Sequence, residues 1–313
     1  MASRQLRIEE QNIFNNFIFV QDKQELISLA RDGHIQKFSS SGQSLGQSKN
    51  TYLSNDRHQN IAFLEDRQNN KYIICQDEKY NIRLIRYVDL EDVANPIEND
   101  TYNHVLDTTS NTAVVSLNAN GNVQVWKRGD DGLYTRKYLS TIKSYYSQDA
   151  YKPLAVIGED IIVTQDDDSH NNFILHYWQS SVQKKISSSI NPNVYCIQPF
   201  PTAGLNFVVA YDDKTIMKYS VDEKQNRIAE TIVSRDGNNG NGWKSLSISS
   251  KGHIAFSENT DRQVMHIQYN NVDVKTIRCP TLLHFIGWIS DDSILVSRSK
   301  EDVYVMDNVL ASP

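Results

Sequence analysis

Apolar and polar positions fall into short, regular blocks along the whole chain. VVSLNANGNVQVWKRG (114–129) shows the unit: two apolar stretches flank an Asn-Gly turn, and the second carries Trp126. Apolar runs of this length around a residue pair that accepts positive φ predict a β-hairpin. The pattern recurs. It spans ELISLARDGHIQKF (25–38), KYIICQDEKYNIRLIRY (71–87), TAVVSLNANGNVQVW (112–126) and DIIVTQDDDSHNNFILHYW (160–178). It continues through NFVVAYDDKTIMKYS (206–220), GHIAFSENTDRQVMHIQY (252–269) and SILVSRSKEDVYVMD (293–307). Leu29, Cys75, Ser116, Thr164, Ala210, Ser257 and Ser297 mark the end of each first strand. Their successive gaps are about 40 to 48 residues, the period of a four-stranded propeller blade.

A short apolar strand precedes each hairpin, as in FIFV (17–20), NIAFL (60–64), LAVI (154–157) and SLSI (245–248). A more polar segment follows most of them: LYTRKYLSTI (133–142), SVQKKISSSI (181–190), RIAETIVS (227–234) and DVKTIRC (273–279). An outer strand should be polar, because it faces solvent and must not pair with other chains. The seventh hairpin has no such segment before Pro313, whereas QLRIEEQ (5–11) stands ahead of the first blade and alternates as an edge strand does. The pattern predicts an all-β chain, a seven-bladed β-propeller with four-stranded antiparallel blades. It is one domain over 1–313, closed by an N-terminal strand completing the last blade.

NANGNVQVWK (118–127) resembles the DG-x-V-x-VWD ending of the WD40-repeat β-propellers, with Lys127 where Asp is usual. FIGWISDDSILVSRSKEDVYVMD (285–307) is similar to the family's W-S-x-D-G-x-L-x-S stretch and final strand, and SLSISSKGHIAFS (245–257) is another such stretch. The resemblance covers almost the whole chain as architecture. The Trp-Asp dipeptide is absent, and Gly33-His34 and Gly252-His253 fall at hairpin turns instead of before a blade. The resemblance thus implies a divergent propeller held by packing rather than by the buried Ser/Thr-His-Trp-Asp hydrogen bonds of regular members. It also implies that the turns between second and third strands share one face. The function it implies is a non-catalytic protein-interaction scaffold, a subunit or domain of a larger multiprotein complex. A propeller enzyme with a central-channel active site and a nucleic-acid-binding propeller are the alternatives.

Composition narrows the class. Of 313 residues, 39% are hydrophobic and 22% charged, which supplies enough apolar material for a core. The net charge of −6 argues against nucleic acid as a direct ligand, since phosphates need clustered Lys and Arg. Arg136-Lys137 and Lys184-Lys185 fall on outer strands, where edge charge explains them. Cys75, Cys196 and Cys279 show no CxxC spacing and lie in or beside apolar segments, so buried, reduced thiols are expected. No apolar run approaches the ~20 residues of a membrane helix, and MASRQLRIEE is too charged for a signal peptide. The expectation is an intracellular chain, cytoplasmic or nuclear, without membrane insertion.

Candidate chemistry is sparse. GQSLG (42–46) has the G-x-S-x-G spacing, but no helical pattern follows it. DGNNGNGWKS (236–245) is Gly-rich, but Trp243 separates Gly242 from Lys244 and no helix follows to hold a phosphate. No catalytic set and no cofactor is expected. QDDDSHNN (165–172) gathers Asp166, Asp167, Asp168 and His170 without EF-hand spacing, so no metal is expected either. His176, in ILHYW, reads as a packed strand histidine.

Charge at the turns between second and third strands changes the picture. These turns carry Asp32, Asp77, Glu78, Asp166, Asp167, Asp168, Asp212, Asp213, Glu258, Asp261, Glu301 and Asp302. Against them stand Arg31, Lys79, Lys214, Arg262, Arg298 and Lys300, leaving an excess of about six negative charges. Hairpin turns favour Asp for backbone reasons alone. The same excess would attract a basic segment of another protein subunit. The protein-binding candidates are Asp166, Asp167, Asp168, Asp212, Asp213 and Trp243. Trp243, beside the Gly-rich loop, is either a partner anchor or the first core residue of its strand.

Overall fold

The apolar runs of the reference hairpin pair as strands Ala113–Asn118 and Val123–Arg128, with Val114 opposite Trp126 and Leu117 opposite Val123. Asn118 shapes the turn. Its Oδ1 accepts the N–H groups of Asn120 and Asn122, both at 3.0 Å, and Gly121 takes a φ of 76°. The Gly121 carbonyl then accepts the N–H of Ser144 at 2.7 Å, which ties the turn to the chain entering the next blade. The first blade repeats the arrangement, with Gly33 at φ 88° accepting from Tyr52 N–H at 2.8 Å.

The computed structural model describes residues 2–6, 14–53, 60–93, 95–109, 112–145, 152–170, 172–187, 193–211, 215–222, 227–233, 243–258, 263–270, 272–279, 283, 285–297 and 303–310. Among them the chain forms seven antiparallel sheets and no helix, and no helix is long and apolar enough to cross a membrane. Blade 1 runs outward through Phe14–Val20, Glu25–Ala30, His34–Ser39 and Ser44–Thr51. Blades 3, 5 and 6 follow the same order, with outer strands Tyr134–Leu139, Arg227–Val233 and Val272–Arg278 in the predicted polar segments.

Both faces of each blade are buried, which is why the inner strands read as continuous apolar runs. In blade 3, Val114 and Trp126 face blade 2 and pack with Ile74 and Ile82. Val115, Leu117 and Val125 face blade 4 and pack with Leu154 and Ile162. Seven such clusters occur among the described residues, one at each junction between neighbouring blades. The cluster joining blade 7 to blade 1 sets Leu295, Val303 and Val305 against Leu26, Ala30 and Phe38, and this closes the ring.

The latch lies a few residues earlier than the 5–11 read from the sequence. Ala2–Leu6 pairs with Val303–Asp307, from Ala2 opposite Asp307 to Leu6 opposite Val303. The reason is reach. The chain must pass from the outermost strand of blade 7 to the innermost strand of blade 1, three strand spacings or about 14 Å. The seven residues 7–13 span up to ~24 Å when extended, whereas a strand over 5–11 would leave only two.

Two blades depart from four strands. Blade 2 has three regular strands, Ala62–Glu65, Lys71–Gln76 and Ile82–Arg86. Its outer position is filled by isolated bonds: Val93 N–H to Leu84 O at 2.8 Å, and reciprocal bonds between Ile82 and Ile97. Asn95, at φ 68°, and Pro96, which has no N–H, interrupt the ladder. In blade 4, Ser144–Tyr145 and Leu154–Ile157 both pair with Ile161–Asp166, so the innermost strand is split. Lys152, beside the split, bridges Cys196 of blade 5 through its backbone and pairs its ammonium with Asp107 of blade 3 at 2.8 Å.

Gly121→Ala should destabilise the fold by about 2 kcal/mol or more, because a Cβ would sit 2.7 Å from Ser144 O on a left-handed residue. Urea unfolding at fixed pH measures it. Removing residues 1–6 should cost about 3 kcal/mol through the lost ladder. It should also raise the aggregated fraction in light scattering, since the strand Val303–Asp307 becomes an open edge.

Candidate protein-interaction face

The predicted acidic turns lie at the end of the ring where second strands turn into third strands, and most of their described carboxylates have local partners. Asp32 accepts the His34 N–H at 3.0 Å. Asp77 Oδ1 accepts from Lys79 and Asn81 N–H at 2.9 Å each, and its Oδ2 pairs with Arg83 at 2.8 Å. Burial pushes the Asp77 carboxyl up, but the bonds from Asn81 and Arg83 and from the backbone outweigh it and hold the group below its ordinary range. These are Asx-turn roles, and they account for much of the acidic bias.

Asp166 ends a strand and is fully buried, with its Oδ2 on Lys185 at 2.7 Å. Asp167 and Asp168 are exposed, Asp168 at 86%, and Lys185 reaches Asp168 only at 3.7 Å. The backbone of Trp243 opens the innermost strand of blade 6, opposite Glu258. The side chains of Trp243 and Glu258 lie outside the described residues. So do Asp212, Asp213, Asp261, Glu301, Asp302, Lys214, Arg262, Arg298 and Lys300. Ser44 of GQSLG begins an outer strand rather than a strand-to-helix turn. Among the described residues, no group of three His, Cys, Asp or Glu side chains is placed to hold a metal. All three cysteines are free and buried, and burial pushes the Cys196 and Cys279 thiols to about 12, which leaves them unreactive.

The same face holds a cavity of about 320 Å³ between blades 1 and 2. Asp77, Glu78 and Asp92 line it against Lys79 and Arg83. Asp92 accepts from Tyr52 Oη at 2.8 Å and Asn50 Nδ2 at 2.7 Å, which fixes its position. Neither Glu78 nor Asp92 makes an ion pair among the described residues. Outside the cavity, towards blade 3, Tyr80, 41% exposed, meets Tyr102 edge-on at 6.1 Å, and Tyr102 meets His104 edge-on at 5.1 Å. Sequence reading missed Asp92 because it sits in the irregular outer segment of blade 2, beyond any hairpin.

No protein-family model matches the chain, and no curated protein is significantly similar to it. Solved structures are similar over nearly the full length. The structure of U3-55K aligns with a TM-score of 0.71 and 13% identity, covering 97% of this chain and 98% of that one. The WD40 repeats of RRP9 align at 0.71 and 14%, covering 97% of each chain. The β-propeller domain of Cps50 (Swd1) from Myceliophteria thermophila aligns at 0.72 and 11%, covering 97% and 99%. The fold is a WD40-type seven-bladed β-propeller.

This WD40-type propeller is not held by packing alone, contrary to the expectation from its missing dipeptides. A buried chain of hydrogen bonds links blade 3 to blade 4. Tyr138 Oη, on the outer strand of blade 3, meets His176 Nδ1 at 2.9 Å, and His176 Nε2 meets Thr164 Oγ1 at 2.9 Å. Thr164 in turn meets Ser144 Oγ at 2.7 Å. His176 stands on the third strand, at the place Trp126 holds in blade 3: each lies opposite the second residue of its partner strand. A neutral imidazole can donate through one nitrogen and accept through the other, so it satisfies two hydroxyls at once.

Full burial pushes His176 down from 6.5 to about 3. As pH falls below 6.5 the unfolded chain binds a proton there that the folded chain does not. Stability from this group is therefore complete above pH 6.5 and falls by up to about 1.4 kcal/mol per pH unit towards pH 3. Unfolding midpoints measured from pH 7 to pH 4 should fall more steeply for the native chain than for His176→Gln. Parallel profiles would rule out a buried neutral imidazole.

Proposed function

We propose that the chain is a non-catalytic protein-interaction platform that engages a basic segment of another protein on its acidic turn face. The observation that carries the reading is the groove between blades 1 and 2, where Glu78 and Asp92 make no ion pair among the described residues and Asp92 is held in place by Tyr52 and Asn50. A pocket whose acceptors are fixed in place suits a segment that brings positive charge. Exposed Asp167 and Asp168 extend the negative field, and in this reading Asp212 and Asp213, which lie outside the described residues, add to it. Asp166 acts on this face indirectly, by holding Lys185. Trp243 opens a strand on the same face and serves as an anchor in this reading. The host of such a platform is an intracellular multiprotein complex.

The test is affinity purification of the tagged protein from its own cells, with the bound subunits quantified at 50 and 300 mM salt. A stoichiometric subunit with a basic segment should be held at low salt and released at high salt. The double variant Glu78→Lys, Asp168→Lys should weaken its capture about tenfold or more. Equal recovery of the subunit on the native and variant chains at both salt concentrations would overturn the reading.

A further inference from the structure

Blade 4 presents the most regular open edge of the ring. Its third strand, Asn172–Tyr177, and its outer strand, Val182–Ser187, pair without interruption, from Tyr177 opposite Val182 to Asn172 opposite Ser187. Among the described residues this is the longest outer pairing without a register shift. Shifts interrupt the outer pairings of blades 1, 3, 5 and 6, and blade 2 has no regular fourth strand. Blade 7 has a shorter regular pairing, and the side chains of its outer strand lie outside the described residues. Along 182–186 no backbone hydrogen bond runs outward from the sheet among the described residues. Such an edge sets alternate N–H and C=O groups in a row, which is the surface a further strand needs.

The two faces of this edge differ. On the side of blade 3 the side chains are already engaged: Gln183 Oε1 accepts the Ile142 N–H at 2.9 Å, and Lys185 holds buried Asp166 at 2.7 Å. On the side of blade 5, Lys184 lies opposite Leu175 and Ile186 opposite Phe173, and Leu175, Ile186 and Phe173 belong to the core between blades 4 and 5. Val182 on this side is 40% exposed. Lys184 is exposed too, with no carboxylate partner among the described residues, and its ammonium rests 5.4 Å over the Tyr177 ring.

Lysine on an edge rejects most strands. An uncharged segment crowds Lys184 without neutralising it, and a second copy paired about this strand sets lysine against lysine. A carboxylate opposite Lys184 removes both objections, so the side chain that excludes other strands selects an acidic one. Main-chain hydrogen bonds then supply the affinity, and alternate side chains supply the choice. We propose that an extended acidic segment of a protein partner adds to blade 4 as a further outer strand, antiparallel to Val182–Ser187, with a carboxylate opposite Lys184 and an apolar residue opposite Val182. This edge is separate from the acidic turn face and takes a partner of the opposite charge.

Amide NMR and hydrogen exchange of the isotopically labelled full chain, titrated with Ac-Thr-Thr-Thr-Glu-Thr-Val-NH2, test the proposal. The comparison peptides carry Gln or Lys in place of Glu, or Pro in place of the Thr between Glu and Val. The glutamate peptide should shift amides at 182–187, slow exchange at alternate positions there, and saturate in the millimolar range. The glutamine peptide should be weaker by about threefold and the lysine peptide by about tenfold, as expected for an exposed cross-strand ion pair. The proline peptide should not bind, because it cannot complete the ladder. Lys184→Glu should reverse the order of the glutamate and lysine peptides while leaving the unfolding midpoint in place. Glu78→Lys, on the acidic turn face, should leave this binding unchanged, so the two surfaces can fail separately. Shifts confined to other residues, equal responses to the glutamate and lysine peptides, full binding of the proline peptide, or an order unchanged by Lys184→Glu would each overturn the assignment. Protection at 182–186 that grows with protein concentration alone would overturn it in favour of a second copy of the chain.

Discussion

Every blade of this propeller buries both of its faces, so each sheet depends on two neighbours and the series of sheets has to return on itself. The return is made by one short pairing, Ala2–Leu6 against Val303–Asp307, over the cluster of Leu26, Phe38, Leu295 and Val305. Without it two sheets would each present an apolar face to water, and the cost would fall on the whole ring. The remaining features, including the cavity between blades 1 and 2, exist because the blades are held at fixed angles by this closure.

Strand content was legible because burial on both faces writes continuous apolar runs, and Asp-Gly and Asn-Gly pairs punctuate them. The ring closure was legible as a surplus segment at one end and a deficit at the other. What could not be read were contacts set by geometry between distant strands. Asp166 reads as a turn acid, yet it is a strand end neutralised by Lys185, two strands further out in the sheet. His176 carries no motif, because its partners Tyr138 and Thr164 come from two different blades. Asp92 lies in a segment with no hairpin signal, and it acquires its setting only when blade 1 is placed against blade 2.

The outer strands show how a ring of sheets stays separate from other rings. Register shifts interrupt the outermost pairings of blades 1, 3, 5 and 6, at His34/Gln36 and Lys37/Phe38, Val125/Trp126, Ile216/Met217 and Ile267/Gln268. Blade 2 has Asn95-Pro96 in that position. Blade 4 keeps an uninterrupted six-pair ladder, and its outer strand carries Lys184 and Lys185. Bulges, a proline and lysines are alternative ways to deny an edge to a second strand. In blade 6 the bulge falls beside Val272 and Val274, 64% and 45% exposed, the apolar edge most in need of one.

Lys152 gives the ring an uneven grain. Its backbone lies along Cys196 in blade 5, its position in the chain leads directly into the innermost strand of blade 4, and its ammonium is held by Asp107 of blade 3. Any local opening of blade 4 must therefore break bonds in both neighbours, and His176 adds another tie in the same direction. Blades 3 to 5 are thus tied to one another, and a local opening of blade 4 carries a cost in both neighbours.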